Sequence, residues 1–227
     1  MITWPASVIH STCSAISTAS DARVLLCGAV FVLNACASVT APPRPEVILA
    51  ATPEHFSVCQ GYSCRDISTH ALDAAELQTL TTLFDKPPPD AAAERARLAD
   101  AIAAMEHWVG ARTGTDRDLG GTFPGHGQPG QMDCIDESTN TTTYLTLFAA
   151  RGWLHFHNVA ARMTRGFLPL AWPHTTAVIN ETGTGRRYAV DSWFLDNGQA
   201  PFILPLEIWR RGWKPPRHCV RHACVSE

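Results

Sequence analysis

Residues 131–150 read QMDCIDESTNTTTYLTLFAA, and they decide how the rest of the chain is arranged. Asp133 has the short acceptor side chain that caps a helix, and Asp136 and Glu137 stand where the positive end of a helix dipole favours carboxylates. Tyr144, Leu145, Leu147 and Phe148 make the second half apolar enough to be buried, and Gly152 is a natural stop. The stretch predicts a helix over Cys134–Ala150 that begins on a cysteine. Its first half, rich in Ser, Thr and Asn, pulls the other way, because such side chains compete for the backbone's hydrogen bonds.

Upstream, Gly114–Gln131 holds six glycines and two prolines and reads as a loop. Before it, Leu77, Leu80 and Phe84 recur at helical spacing across Asp73–Phe84, with Ser68, Thr69 or Asp73 available as the cap. Leu98, Ile102, Met105 and Val109 form one face of a second helix over Asp90–Gly110, with Gly110 as its expected end. Downstream, Trp153–Ala160, His174–Glu181 and Arg187–Phe194 have strand character, and Thr182-Gly183-Thr184-Gly185 turns the last two into a hairpin. The expected class is α+β: N-terminal helices and the cysteine-bearing helix packed against a small antiparallel sheet.

With 227 residues, 45% of them hydrophobic and 17% charged, the chain can bury one substantial core and is too apolar for disorder. A net charge of -3 leaves no basic excess to neutralise a phosphate backbone, so nucleic acid is not an expected partner. Val24–Leu33, VLLCGAVFVL, is an uncharged apolar run too short to cross about 30 Å of hydrocarbon as a helix, and it suits the h-region of a signal peptide. At its end Leu33-Asn34-Ala35-Cys36 resembles the lipobox of bacterial lipoproteins, in which cleavage precedes a cysteine that carries diacylglycerol. An ordinary secretory cut after Ala35 or Ser38 is the alternative, and either exports the protein. Residues 36–53, rich in Ala, Pro, Ser and Thr, read as a tether. The expected organisation is a signal peptide over 1–35, that tether, and one domain over 54–227. A lipid anchor on Cys36 would hold it to a membrane on the periplasmic side, the outer membrane being the first choice.

Of the eight cysteines, export removes Cys13 and Cys27 and acylation occupies Cys36. Cys59 and Cys64 share a C-x4-C spacing that Cys219 and Cys224 repeat, so an oxidising compartment is expected to pair these four, in one of three ways. Two short loops, Cys59–Cys64 and Cys219–Cys224, are the first expectation and cross-pairing the alternative. Cys134 is the odd thiol. At a helix start after a glycine-rich loop, backbone N–H groups and the dipole are expected to lower its pKa and to receive an oxyanion. His174 on one strand and Asp191 on the next can serve as base and as the group that holds the imidazole. A side-chain amide of Gln128 or Gln131 could complete the oxyanion hole, or each could be a polar loop residue.

A cysteine at a helix N-terminus after a glycine-rich loop, then a histidine and an aspartate on successive strands, resembles the transglutaminase-like cysteine peptidases of bacteria, a papain-like arrangement. The segment Asp133–Glu137, DCIDE, is similar to that family's nucleophile motif, in a match over about residues 128–196. QMDCIDESTNTTTYL and AVDSWFLDNG also resemble a group of proteobacterial lipoproteins. The resemblance implies a transglutaminase-like fold with Cys134, His174 and Asp191 in the catalytic places, acting on amides of peptides or proteins in the cell envelope. It also implies calcium as an option, for which Asp133, Asp136 and Glu137, with Asp116 and Asp118, could supply oxygens; helix capping explains the first three equally, and no other cofactor is expected. His218, Cys219, His222 and Cys224 could hold zinc, but in an exported tail among prolines a disulfide is the expectation. His155 and His157 alternate along a strand and are expected on one exposed face, while Asn140 and Trp193 either orient the site or pack. Two functions follow: a thiol hydrolase or acyltransferase, or a lipoprotein that keeps the fold as a scaffold or binding module without turnover.

Overall fold

A computed structural model of the chain describes residues 51–121, 127–166 and 172–216. The described residues all belong to the unit Ala37–Glu227. Cys36 and its lipobox, Cys219 and Cys224 lie outside the described residues. The order of elements is a hairpin of β1 (Phe56–Gln60) and β2 (Asp66–His70), then α1 (Ala74–Leu83) and α2 (Ala91–Thr113). After a single 3-10 turn at Thr115–Arg117 come α3 (Cys134–Ala150), β3 (His157–Arg165), β4 (His174–Glu181), β5 (Arg187–Asp191), β6 (Phe202–Pro205) and α4 (Leu206–Arg210).

Strands β3 to β6 form one antiparallel sheet in sequence order, with short connections that need no crossover. Side chains alternate across it. Ala177 and Ile179 of β4, with Tyr188 and Val190 of β5, join Tyr144, Leu145, Leu147 and Phe148 of α3 and Leu98, Ile102 and Met105 of α2 in the main core. Val178 and Ala189 face the other way, onto Leu206 and Trp209 of α4. Phe84, Phe148 and Trp153 close the far end, with Phe84 stacked on Trp153 at 4.7 Å. The class is α+β, with two antiparallel sheets.

Helix α3 forms over the expected residues, and its polar first half is reconciled with helix by its own side chains. Thr139, Thr142, Thr143 and Thr146 each donate a hydroxyl to the carbonyl four residues back, at 2.6 to 3.0 Å, so buried hydroxyls and backbone satisfy one another. Helix α2 runs past its expected end: Gly110 is inside it, and Gly114, at φ 78°, is the stop. Gly110 is small for packing, since a Cβ there would stand 2.5 Å from the Asn197 amide. The expected strand at Trp153–Ala160 begins four residues late and continues to Arg165, because Trp153 is drawn into the Phe84 stack and the N–H groups of His155 and Phe156 are taken by the Glu94 carboxylate. The β1–β2 hairpin, β6 and α4 lack strong local periodicity and are supplied by tertiary packing.

Candidate active site

The start of α3 is built twice over. Asp133 accepts from the N–H groups of Ile135 and Asp136, both at 2.9 Å, while Asp136 accepts from Asp133 N–H in return. The remaining carboxylate oxygens reach across to the Cys59–Cys64 disulfide loop. There Gly61, Tyr62, Ser63 and Cys64 hold φ of 81°, 70°, 58° and 52°, a left-handed run that three of these residues adopt reluctantly. Three N–H groups of that run converge on α3: Tyr62 and Cys64 donate to Asp136 at 2.7 and 2.6 Å, and Ser63 to Asp133 at 3.0 Å. Asn140 clamps both backbone groups of Cys59 from the next turns of α3, so it holds the hairpin and not the site. With their oxygens so engaged, Asp133 and Asp136 act as caps and clamps. Among the described residues no group of three or more His, Cys, Asp or Glu side chains is arranged to hold a metal ion.

Cys134, the first residue of α3, is the free cysteine of the described residues. The expected lowering of its pKa is corrected. Burial, reinforced by the charges of Asp133 and Asp191, pushes the thiol up to about 12, outweighing the Thr175 N–H that hydrogen-bonds the sulfur. The dipole argument considers only one end of one helix, whereas desolvation is imposed by everything packed around it. Arg162 was not legible in the sequence. It lies in a β-bulge, where β3 shifts register against β4 between Ala160 and Met163, and the bulge aims its guanidinium at Ser138 Oγ and Thr139 Oγ1, at 3.2 and 3.0 Å. From there it senses the charge of a Cys134 thiolate, while its own pKa is pushed down to about 10 by burial.

His174 begins β4 and Asp191 ends β5, so the two meet at one end of the sheet, with Nε2 of His174 2.7 Å from Asp191 Oδ2. A carboxylate accepts, which assigns the hydrogen to Nε2 and leaves the Nδ1 lone pair as the base. Trp209 Nε1–H donates to the same oxygen at 2.6 Å, and the ring lies 5.4 Å from the imidazole. Trp193 and Phe194 enclose the histidine at 4.8 and 5.1 Å, which makes Trp193 a wall of the site. By alternation His174 and Asp191 share the α4 face with Val178, whereas α3 covers the opposite face. Cys134 approaches them only because it stands at the tip of its helix, where the Asp191 charge acts on it; its sulfur is hydrogen-bonded by Thr175 N–H and not by the His174 ring. A cleft of about 590 Å³ opens on His174.

Behind α3 lies a set of buried acids. Glu137 shares a hydrogen bond with Asp118, which also accepts Met132 N–H at 2.8 Å, and Glu106 takes Gly198 N–H at 3.2 Å. Burial pushes Asp118, Asp136 and Glu106 each up to about 7, and Glu137 well above its usual range. Their folded pKa values exceed the unfolded value near 4, so the folded state binds the extra protons. The stability they contribute is full below about pH 4 and is lost as pH rises through about 7. The melting temperature is therefore expected to fall between about pH 5 and pH 8, and Glu106→Gln should flatten that slope; a midpoint that rises over the interval would contradict the assignment.

The other expected positions fall as follows. Gln128 is exposed. Gln131 is buried, with its amide donating to Arg117 O at 2.6 Å and accepting Leu119 N–H at 3.4 Å, so it ties the preceding loop to itself. The exposed face expected of His155 and His157 is half corrected: His155 is exposed, but His157 is buried, with Nδ1 2.8 Å from Glu94 Oε1. Glu94 lies inside because α2 turns it toward the start of β3, and a buried carboxylate recruits every donor within reach. No family model, no curated protein and no solved structure matches the chain.

Proposed function

We propose that this protein is an exported thiol hydrolase or acyltransferase acting on amide bonds of peptides or proteins, with a transglutaminase-like disposition of Cys134, His174 and Asp191. The observation that carries the reading is the hydrogen-bonded series from Trp209 through Asp191 to His174, which opens on a cleft, with the free Cys134 close enough for the Asp191 charge to act on it. In the proposed reaction His174 Nδ1 takes the thiol proton as sulfur attacks the carbonyl carbon. The tetrahedral oxyanion is received by Cys134 N–H, since the next N–H groups of α3, those of Ile135 and Asp136, are taken by Asp133, and Arg162 balances charge beside the sulfur. His174 then returns the proton to the leaving amine as the C–N bond breaks, and the thioester passes to water or to another amine. A thiol held near 12 at rest needs the base within the step itself.

That raised thiol favours a second reading, a scaffold or binding lipoprotein without turnover. The pH dependence of Cys134 alkylation by iodoacetamide separates the two. Base-assisted sulfur is expected to react between about pH 6 and pH 8 in the native protein and about tenfold or more slowly in His174→Ala. Reaction confined to about pH 10 and above, and equal in both proteins, would leave only the scaffold.

We further propose that acylated Cys36 anchors the chain to a membrane facing the periplasm. The apolar h-region and LNAC support this, and several acyl chains at about 0.8 kcal/mol per buried CH₂ make such an anchor firm. Cys36→Ser is expected to move the protein from the membrane pellet to the soluble fraction; retention in the pellet would reject the anchor. No helix among the described residues is long and apolar enough to cross a membrane.

A further inference from the structure

We propose that the cleft beside His174 selects acidic peptides, taking carboxylate side chains next to an apolar or aromatic one; this rests on the amide-cleaving reading of the same site. The cleft's charged lining is entirely cationic: Arg165, Arg210, Arg211 and Lys214, with no aspartate or glutamate among its described lining residues. Arg165 is committed to the floor, donating to the carbonyls of Trp209 and Trp213 and lying 4.3 Å over the Trp209 ring. Arg210, Arg211 and Lys214 are exposed and have no ion-pair partner among the described residues, so their charges face the cleft's contents. Asp191, the carboxylate on His174, is already occupied by His174 and Trp209, and Glu207 of α4, one turn before Arg210 and Arg211, forms no ion pair with them among the described residues. Three cations at one rim, none in an ion pair among the described residues, set a positive potential that a carboxylate relieves and a lysine side chain does not.

The apolar part of the lining specifies the rest of the ligand. Trp193 and Phe194 form one wall, and Trp172, 63% exposed, stands at the mouth as a large apolar surface set in a polar rim. A volume of about 590 Å³ is that of a site for a short peptide segment and not for a folded domain. Guanidinium groups suit carboxylates because two parallel N–H bonds match two oxygens.

The test uses the full-length Cys134→Ala protein, so that binding is measured without turnover. Calorimetric titration with the peptide Ac-Trp-Glu-Glu-NH₂ is expected to give at least about tenfold tighter binding than Ac-Trp-Gln-Gln-NH₂, with Ac-Trp-Lys-Lys-NH₂ weaker than both. Added salt should weaken the Glu peptide and leave the Gln peptide nearly unchanged. In the Arg210→Ala, Arg211→Ala, Lys214→Ala background the preference for Glu over Gln should disappear while the Gln peptide binds as before. Equal affinity for the Glu and Gln peptides, including no binding of either, overturns the proposal, as does displacement of the Glu peptide by inorganic phosphate at equal concentration. Assaying native protein on the same peptides keeps the two readings apart. Turnover with no preference for acidic residues rejects this inference and keeps the enzyme, whereas acidic preference without any turnover keeps the cleft and rejects the enzyme.

Discussion

Cys134→Ala and His174→Ala are each expected to remove turnover of an activated amide or ester, by about 10⁶-fold where the assay has that range, and the double variant should lose no more than either alone. The reason is that sulfur and imidazole act in one step: without the sulfur no thioester forms, and without Nδ1 a thiol held near 12 keeps its proton. Asp191→Asn should cost less, about 10²- to 10⁴-fold. An asparagine oxygen in the Oδ2 position can still accept from His174 Nε2 and Trp209 Nε1, so geometry survives while the charge that stabilises the imidazolium is lost. Trp209→Phe keeps the ring against His174 but withdraws one hydrogen bond from Asp191, and about a tenfold loss in kcat with KM unchanged is expected. Pre-steady-state mass spectrometry should find the acyl group on Cys134. An undiminished rate in Cys134→Ala, with protein that melts normally, would end the thiol mechanism.

The largest stability effect is expected far from that chemistry, at Glu94. Its side chain is fully buried and accepts His155 N–H at 2.6 Å, Phe156 N–H at 3.0 Å and His157 Nδ1 at 2.8 Å. Burial alone would raise its pKa, yet these bonds hold it below the usual carboxylate range. Glu94→Ala strands three donors at once, the buried His157 ring among them, and leaves a void, for which about 3–5 kcal/mol of lost stability is expected. Against a typical total of about 5–15 kcal/mol, that brings the variant close to unfolding at room temperature. Glu94→Gln should lose less, since its carbonyl oxygen still accepts. A urea titration measures both, and a loss below about 1 kcal/mol for Glu94→Ala would mean that the donors find other partners.

Neither residue announces itself equally. Cys134 could be found from the chain alone because its position is local: an acidic cap, a following apolar run and an odd cysteine count are all read within a few residues. Glu94 looks like any polar residue of an amphipathic helix, and only the return of the chain at residues 155–157 gives its carboxylate three donors. Arg162 is similar, since a bulge depends on how two strands register and not on either strand's composition. Trp209 is a lone aromatic in a five-residue helix until β5 places Asp191 beneath it.

The sequence by itself therefore determined what is set by short-range forces: the bounds of α3 and its cap, β4 with the turn that follows it, the capped start of α1, and the pairing potential of Cys59 with Cys64 five residues apart. Capping, turn chemistry and periodicity act over one or two turns of chain, so a sequence displays them. Tertiary structure decided the protonation of the thiol, the partners of the buried acids, the aim of Arg162 and the cationic lining of the cleft. Each of these depends on desolvation and on polar groups brought together from distant segments, such as Asn197 against Glu106, 91 residues apart, or Arg162 against Thr139, 23 apart. The helix dipole at Cys134 could be anticipated. That burial would outweigh it could not, because desolvation belongs to the packed whole and is written in no single stretch of the chain.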